Sequence, residues 1–285
     1  MRPLRYNLVD VFTDKALEGN QLAVFTASQG LSAEQMQSIA REMNLSETVF
    51  FFPPTEGGHA RLRIFTPRTE LPFAGHPILG AAWVLGGPIE MDLLKLETGA
   101  GMIEVLLTRQ GQKLSSAWMS QPIPQIAEFK DLEALSSALM PKKSGCHVES
   151  VVQAQNGPRH LLCDVANVSV LTELKPDMAM LAALWDGGVL AYAQVAEGRV
   201  RARYFAPAAG INEDAATGSA AGPLGAHLVL CGRHTSNEIL VVEQGIEMKR
   251  PSQIWVRAEV RDGELLEVRV GGVARVIGRG ELSPF

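Results

Sequence analysis

Cysteine is scarce. Cys146, Cys163 and Cys231 lie far apart and form no C-x-x-C pair, which argues against a disulfide framework or a thiolate metal site and suits reduced thiols in a cytosol. The six histidines are scattered, with no H-E-x-x-H and no His/Cys cluster at ligand spacing, so no metal is expected; His59, His147, His160, His227 and His234 read as surface or helix-face residues. No Walker loop is present, and no G-x-G-x-x-G follows a strand, so no nucleotide or flavin is expected. Ser219 lacks a glycine two positions upstream, where Thr217 stands, so it is not a nucleophile elbow. Basic runs are missing and the formal net charge is −5, which sets aside nucleic acid and anionic membranes as partners. No apolar stretch reaches the ~18 residues of a membrane span. Met1 to Phe12 carries Arg2 and Arg5 without a long apolar core, so no secretory signal is expected and the cytoplasm is the expected location.

What is present comes twice. Residues 61–67 read R-L-R-I-F-T-P and residues 201–207 read R-A-R-Y-F-A-P, so the frame R-x-R-x-F-x-P recurs 140 positions on. The first copy runs through Phe73-Ala74-Gly75-His76-Pro77 into an apolar stretch, and the second through Ala216-Thr217-Gly218-Ser219-Ala220 into another. Two similar lobes facing each other are expected, each reading strand, loop, Gly-polar step, apolar helix. The first turn of a helix has N–H groups without intrahelical partners, and its dipole favours an anion there. Two such starts sharing a cleft make a carboxylate cradle, with Gly75 and Gly218 allowing close approach, Pro77 at the first helical position, and His76 and Ser219 projecting from matching places. Taken singly, each is equally an ordinary loop-to-helix junction.

The chain reads as mixed α and β structure, and 285 residues at 46% hydrophobic content favour two modest cores. Strands are expected at Asn7 to Phe12 and Leu22 to Phe25. A helix follows, opened by a Ser32/Gln35 capping box and ending near Asn44. Apolar helices are expected from Ile78 to Leu85 and from Ala221 to Leu230. Further helices fit Lys130 to Met140 and Met178 to Trp185. The strand from Val273 to Gly278 suits either lobe; grouping the last residues with the first gives 1–120 plus about 274–285, with Glu47 and His76, against 121–273, with Asp214 and Ser219.

Glu47 opens the otherwise apolar run Thr48-Val49-Phe50-Phe51-Phe52. A carboxylate in such company loses hydration, which raises its pKa toward neutrality, where it can take a proton and return it. The alternative is a helix-end glutamate with its side chain in solvent. Asp214, five residues before Ser219, is placed to orient His76 or hold a substrate amine, or simply to cap its turn.

The segments V-D-V-F-T-D (9–14), G-N-Q-L-A-V-F (19–25), N-L-S-E-T-V-F-F (44–51), F-T-P-R-T-E-L-P-F-A-G-H-P (65–77), E-D-A-A-T-G-S-A (213–220) and E-Q-G (243–245) resemble the PhzF family of phenazine-biosynthesis-like isomerases, in the family's order. The resemblance implies an α+β, diaminopimelate-epimerase-like fold: two pseudo-symmetric lobes, each a β-barrel-like sheet around a central helix, with the active site between them. It implies Glu47 as the acid/base that removes a proton from one substrate carbon and redelivers it to another, with His76, Asp214 and Ser219 as polar residues around it. Gly75 and Gly218 match backbone donors near the substrate carboxylate, and Asn20, Ser46 and Thr217 join the expected substrate-binding set. No cofactor is implied, and a homodimer is the family's common state. Related epimerases and racemases use one cysteine per lobe; Ala74 and Thr217 stand there in this chain, so a two-thiol racemase is not expected. The expected partner is a small carboxylate, a cyclic amino acid among the candidates. A one-base epimerase and a non-catalytic small-acid binder are the alternatives.

Overall fold

The computed structural model describes residues 3–89, 91–140 and 148–283; Arg2, Cys146 and His147 lie outside the described residues. The chain divides into two compact units, Met1–Ser120 with Gly271–Phe285, and Gln121–Val270. The first unit is laid down as β1 (Leu4–Val11), β2 (Asn20–Phe25), α1 (Ala33–Met43), β3 (Glu47–Phe52), β4 (Ala60–Phe65), β5 (Glu70–Leu71), α2 (Gly75–Gly86), β6 (Leu93–Thr98), β7 (Gly101–Gln110) and β8 (Lys113–Gln121). The second follows as β9 (Gln125–Glu128), α3 (Leu132–Leu139), β10 (Val148–Gln155), β11 (Arg159–Val165), α4 (Val168–Glu173), α5 (Met178–Leu184), β12 (Gly188–Ala196), β13 (Arg199–Ala206), β14 (Ile211–Asp214), α6 (Gly218–Leu230), β15 (Leu240–Gln244), β16 (Ser252–Arg261) and β17 (Glu264–Gly272). The chain then returns to the first unit as β18 (Ala274–Leu282), antiparallel to β1.

The two units repeat one pairing scheme. In the first, β1-β2 is antiparallel, β2-β3 parallel, β3-β4 antiparallel, β4-β6 parallel and β6-β7 antiparallel, with β5 as a short return on β4. In the second, β10-β11, β11-β12, β12-β13, β13-β15 and β15-β16 follow the same alternation, with β14 as the return on β13.

Local chemistry sets the helix ends. Ser32 Oγ accepts the Gln35 N–H at 3.2 Å while Gln35 Oε1 accepts the Ser32 N–H at 2.9 Å, the reciprocal box that opens α1. Asn44 closes α1 in the left-handed region, at φ 49°, a conformation asparagine tolerates better than most residues. Met36, Ile39 and Ala40 of α1 pack with Ala23, Phe25, Phe50 and Phe65 on one side of β2, β3 and β4. On the other side lies α2, where a Cβ on Gly80 would meet Leu22 Cδ2 at 2.5 Å. Residues alternate between faces along a strand, so positions in step with Leu22 face α2.

Helix α2 is apolar on nearly every side and touches β1, β2, β3, β6, β7 and β18, as an enclosed helix must. In the second unit α6 is likewise apolar and buried along its length, lying so close to β16 that a Cβ on Gly225 would stand 2.4 Å from Val256 Cγ1. The opposite face of that unit packs Leu161, Cys163, Val189, Ala191 and Phe205 against Leu135, Leu139, Leu171 and Leu181 of α3, α4 and α5. Both central helices start earlier than their apolar runs suggest, at Gly75 and Gly218. Pro77 is therefore the third residue of α2, not the first. It is tolerated there because the N–H groups of the opening turn have no intrahelical acceptor to lose. His160, expected at the surface, lies buried within β11, and Cys231 is exposed just past the end of α6, where the chain leaves the core.

Candidate active site

In the first unit, Glu47 is the opening residue of β3 and pairs in register with Leu22 of β2. It shares Leu22's face, so its side chain is directed to the α2 side and is 9% exposed as a residue. The solvent-facing alternative is thereby ruled out. His76, second residue of α2 and also buried, brings Nε2 to 3.5 Å from Glu47 Oε2. Asn20, buried at the start of β2, places its side-chain amide nitrogen 3.4 Å from His76 Nδ1. Burial drives the His76 pKa down to about 3, against the smaller pull of a hydrogen bond to the Gln21 main chain. The imidazole is therefore neutral at pH 7, and its contact with Glu47 is no ion pair. Ser46 lies in the bend just ahead of Glu47, partly exposed.

In the second unit, Asp214 ends β14, and its Oδ2 accepts the Thr217 hydroxyl at 2.6 Å. Gln244 of β15 locks the same loop: its Oε1 accepts the Thr217 N–H at 3.1 Å, while its Nε2 donates to the Asp214 carbonyl at 2.8 Å and to Thr217 Oγ1 at 3.0 Å. Behind the start of α6, Gln121 donates to the Gly218 carbonyl at 3.0 Å and Asn156 to the Ser219 carbonyl at 3.1 Å. Ser219, like His76, is the second residue of its helix, and it keeps partial exposure. Sequence reasoning did not single out Gln244 as a site residue, although the E-Q-G step that contains it was visible.

Both central helices begin without a side-chain cap. Ala74 ahead of α2 has no group to offer, and Thr217 ahead of α6 has turned its hydroxyl to Asp214. Ser32, Asn167 and Asp177 cap α1, α4 and α5, while α3 also starts without a side-chain cap. The uncapped first-turn N–H groups at Gly75 and Gly218 keep the donor capacity and positive potential that suit a carboxylate. Among the described residues no group of three or more His, Cys, Asp or Glu side chains is placed to hold a metal ion, and no helix is long and apolar enough to cross a membrane.

An α+β chain whose two units each wrap one pairing scheme around an apolar, glycine-containing helix has the fold of the PhzF and epimerase-like proteins. The crystal structure of a Bacillus anthracis phenazine biosynthesis protein of the PhzF family superposes with a TM-score of 0.88 over 99% of this chain and all of that one, at 24% identity. A predicted epimerase from Pseudomonas aeruginosa gives a TM-score of 0.82 at 32% identity, covering 98% and 99% of the two chains. The sequence profile of the PhzC-PhzF family, described as phenazine biosynthesis-like protein, matches residues 9–280. The trans-2,3-dihydro-3-hydroxyanthranilate isomerase of Pseudomonas chlororaphis is 44% identical over 278 residues, 97% of this chain and 98% of that enzyme. The chain belongs to the phenazine biosynthesis-like protein family, and it is an enzyme of the isomerase class.

Proposed function

We propose that this isomerase moves a proton between two carbons of a small, cyclic amino carboxylate, without a cofactor, and that Glu47 carries the proton. In the forward step the Glu47 carboxylate takes a proton from a substrate carbon, and the electron pair left behind shifts into the substrate's conjugated π system. The resulting Glu47 carboxylic acid then protonates a different carbon, so a double bond has moved and the composition is unchanged. Asp214, Thr217 and Ser219 take polar groups of the substrate, with Asn20 and Ser46 beside the proton carrier, and the amides of Gly75 and Gly218 receive its carboxylate. The named activity of the Pseudomonas chlororaphis relative makes trans-2,3-dihydro-3-hydroxyanthranilate the first substrate to try.

The observation that carries this reading is the buried Glu47 beside an imidazole that is neutral. A neutral neighbour does not hold the carboxylate in its charged form as an imidazolium would, which suits a group that must act as base and then as acid. A second reading, a one-base epimerase, is favoured by the predicted-epimerase label of the 32% identical structural relative. Reaction of trans-2,3-dihydro-3-hydroxyanthranilate in deuterated water, followed by NMR, separates the two. Isomerisation gives a displaced double bond with deuterium at the receiving carbon, to an extent set by exchange at Glu47. Epimerisation gives an inverted centre with the double bonds unmoved, and absence of both reactions for this substrate rejects the assignment.

A further inference from the structure

The repeated R-x-R-x-F-x-P frame has a structural cause that leads to a function. In the first copy Arg63 grips Glu70 with two parallel hydrogen bonds, Nε to Oε1 at 2.7 Å and Nη2 to Oε2 at 2.6 Å. In the second, Arg203 grips Glu213 in the same way, at 2.9 Å and 2.9 Å. Each guanidinium also lies over the ring of the phenylalanine two residues on, at 5.3 Å for Arg63 and Phe65 and 5.0 Å for Arg203 and Phe205. Each clamped glutamate stands in the short return strand, five residues before the first residue of the central helix: Glu70 before Gly75, Glu213 before Gly218. The two halves thus carry the same fork in the same place of their shared pairing scheme.

In the second unit the clamp is the more deeply set. Arg203 is buried, and its remaining nitrogen, Nη1, donates to the carbonyls of Leu174 at 2.9 Å and Leu171 at 3.2 Å at the end of α4. Arg203 thus ties α4, β13 and β14 together, and the residue after its clamped glutamate is Asp214. We infer that Arg203 and Glu213 are positioning residues for the reaction, which set Asp214, Thr217 and the N–H groups that open α6 without touching the substrate. This inference rests on the reading above for the role of Asp214 and Ser219.

The geometry of the fork supplies the test. Lysine keeps the charge of Arg203 but has no planar pair of donors, and glutamine keeps the shape of Glu213 but loses its charge. Arg203→Lys and Glu213→Gln are each expected to raise KM for trans-2,3-dihydro-3-hydroxyanthranilate at least tenfold while changing kcat less than threefold. The double variant should be no worse than the poorer single one, because either change opens the same fork. Gly225→Ala, which strains α6 against Val256 away from the clamp, serves as the control for general destabilisation; if it raises KM in step with its loss of thermal stability, the clamp is merely structural. Should Arg203→Lys fail to fold, Glu213→Gln decides. Amide hydrogen exchange provides a readout independent of turnover: opening the clamp should speed exchange at residues 214–220 selectively. A folded variant with unaltered exchange there, or with wild-type KM in an active enzyme, overturns the inference, whereas an inactive wild type with faster exchange in the variants overturns only the substrate assignment.

Discussion

The two units share a scaffold but carry their acidic groups at different points of it. Thr48 pairs with Phe65, and Val189 with Phe205; since the two phenylalanines hold the same place in the repeated frame, the residue before Thr48 corresponds to the residue before Val189. Glu47 therefore answers to Gly188. No side chain can stand at Gly188, because the Tyr204 hydroxyl fills that volume, 1.8 Å from where a Cβ would be. That hydroxyl lies 3.0 Å from Nδ1 of His160, a ring wholly buried and held neutral by burial, with its pKa lowered to about 3. Since each clamped glutamate stands five residues before its helix, Asp214 answers in turn to Leu71. Each half thus keeps one carboxylate where the other half has none. On the proposed reading of Glu47 as proton carrier and Asp214 as polar anchor, the two roles are divided between copies of one framework, which suits a single-base reaction better than a symmetric exchange between two equal bases.

The comparison is most sharply tested at Glu47 itself. Glu47→Gln should lower turnover by ~10²–10⁴-fold, the usual contribution of a positioned acid/base, while a thermal-shift assay with the same carboxylate still reports binding. Turnover within a few-fold of wild type would remove the distinction between the halves. Gly188→Ala tests the other side of it: the new methyl group meets a rigid phenol, and overpacking of this kind typically destabilises by ~1–3 kcal/mol, measurable by denaturant unfolding. An unchanged midpoint would mean that Tyr204 does not occupy the place of the missing side chain. The smallest effect concerns acid. Unfolded histidines bind protons near pH 6.5, whereas His76 and His160 resist protonation until about pH 3. Between those values the unfolded chain holds more protons, so stability rises with pH through that window and levels off above it. His160→Asn should make the slope between pH 4 and pH 6.5 shallower; an identical slope would show that the ring titrates normally in the folded chain.

How much of this was legible depended on whether the signal was local. The Ser32/Gln35 box and the Asn44 stop are contacts between near neighbours, and both were readable. The starts of α2 and α6 were read too late, because Gly75, Pro77 and Gly218 signal turns until one knows that the helices are enclosed. Strands β10 and β11 were not expected from the sequence: polar residues interrupt β10, and the apolar centre of β11, Leu161 to Cys163, is too short to declare itself. His160 looked like a surface residue because only the Gly188–Tyr204 packing makes a buried place for it. Glu47 stood out as a charge in apolar company, yet His76 is brought to it by α2, and Asn20 to His76 by the start of β2, which no spacing encodes. The partner of the second arginine in each frame could not be read either, since Glu70 and Glu213 follow at unequal distances and are equivalent only when counted back from the helices.

One strand pairing bears on how the chain comes to be folded. The pairing of β1 with β18, from Leu4–Leu282 through Val11–Ala274, joins segments separated by the whole of the second unit. A nascent polypeptide leaving the ribosome exposes all of residues 121–270 before residues 274–282 emerge. The half encoded later can therefore finish folding first, while the half that bears Glu47 waits with an open edge on β1, the kind of edge that invites pairing with other chains. Translation of the last strand thus controls when the half that bears Glu47 is complete.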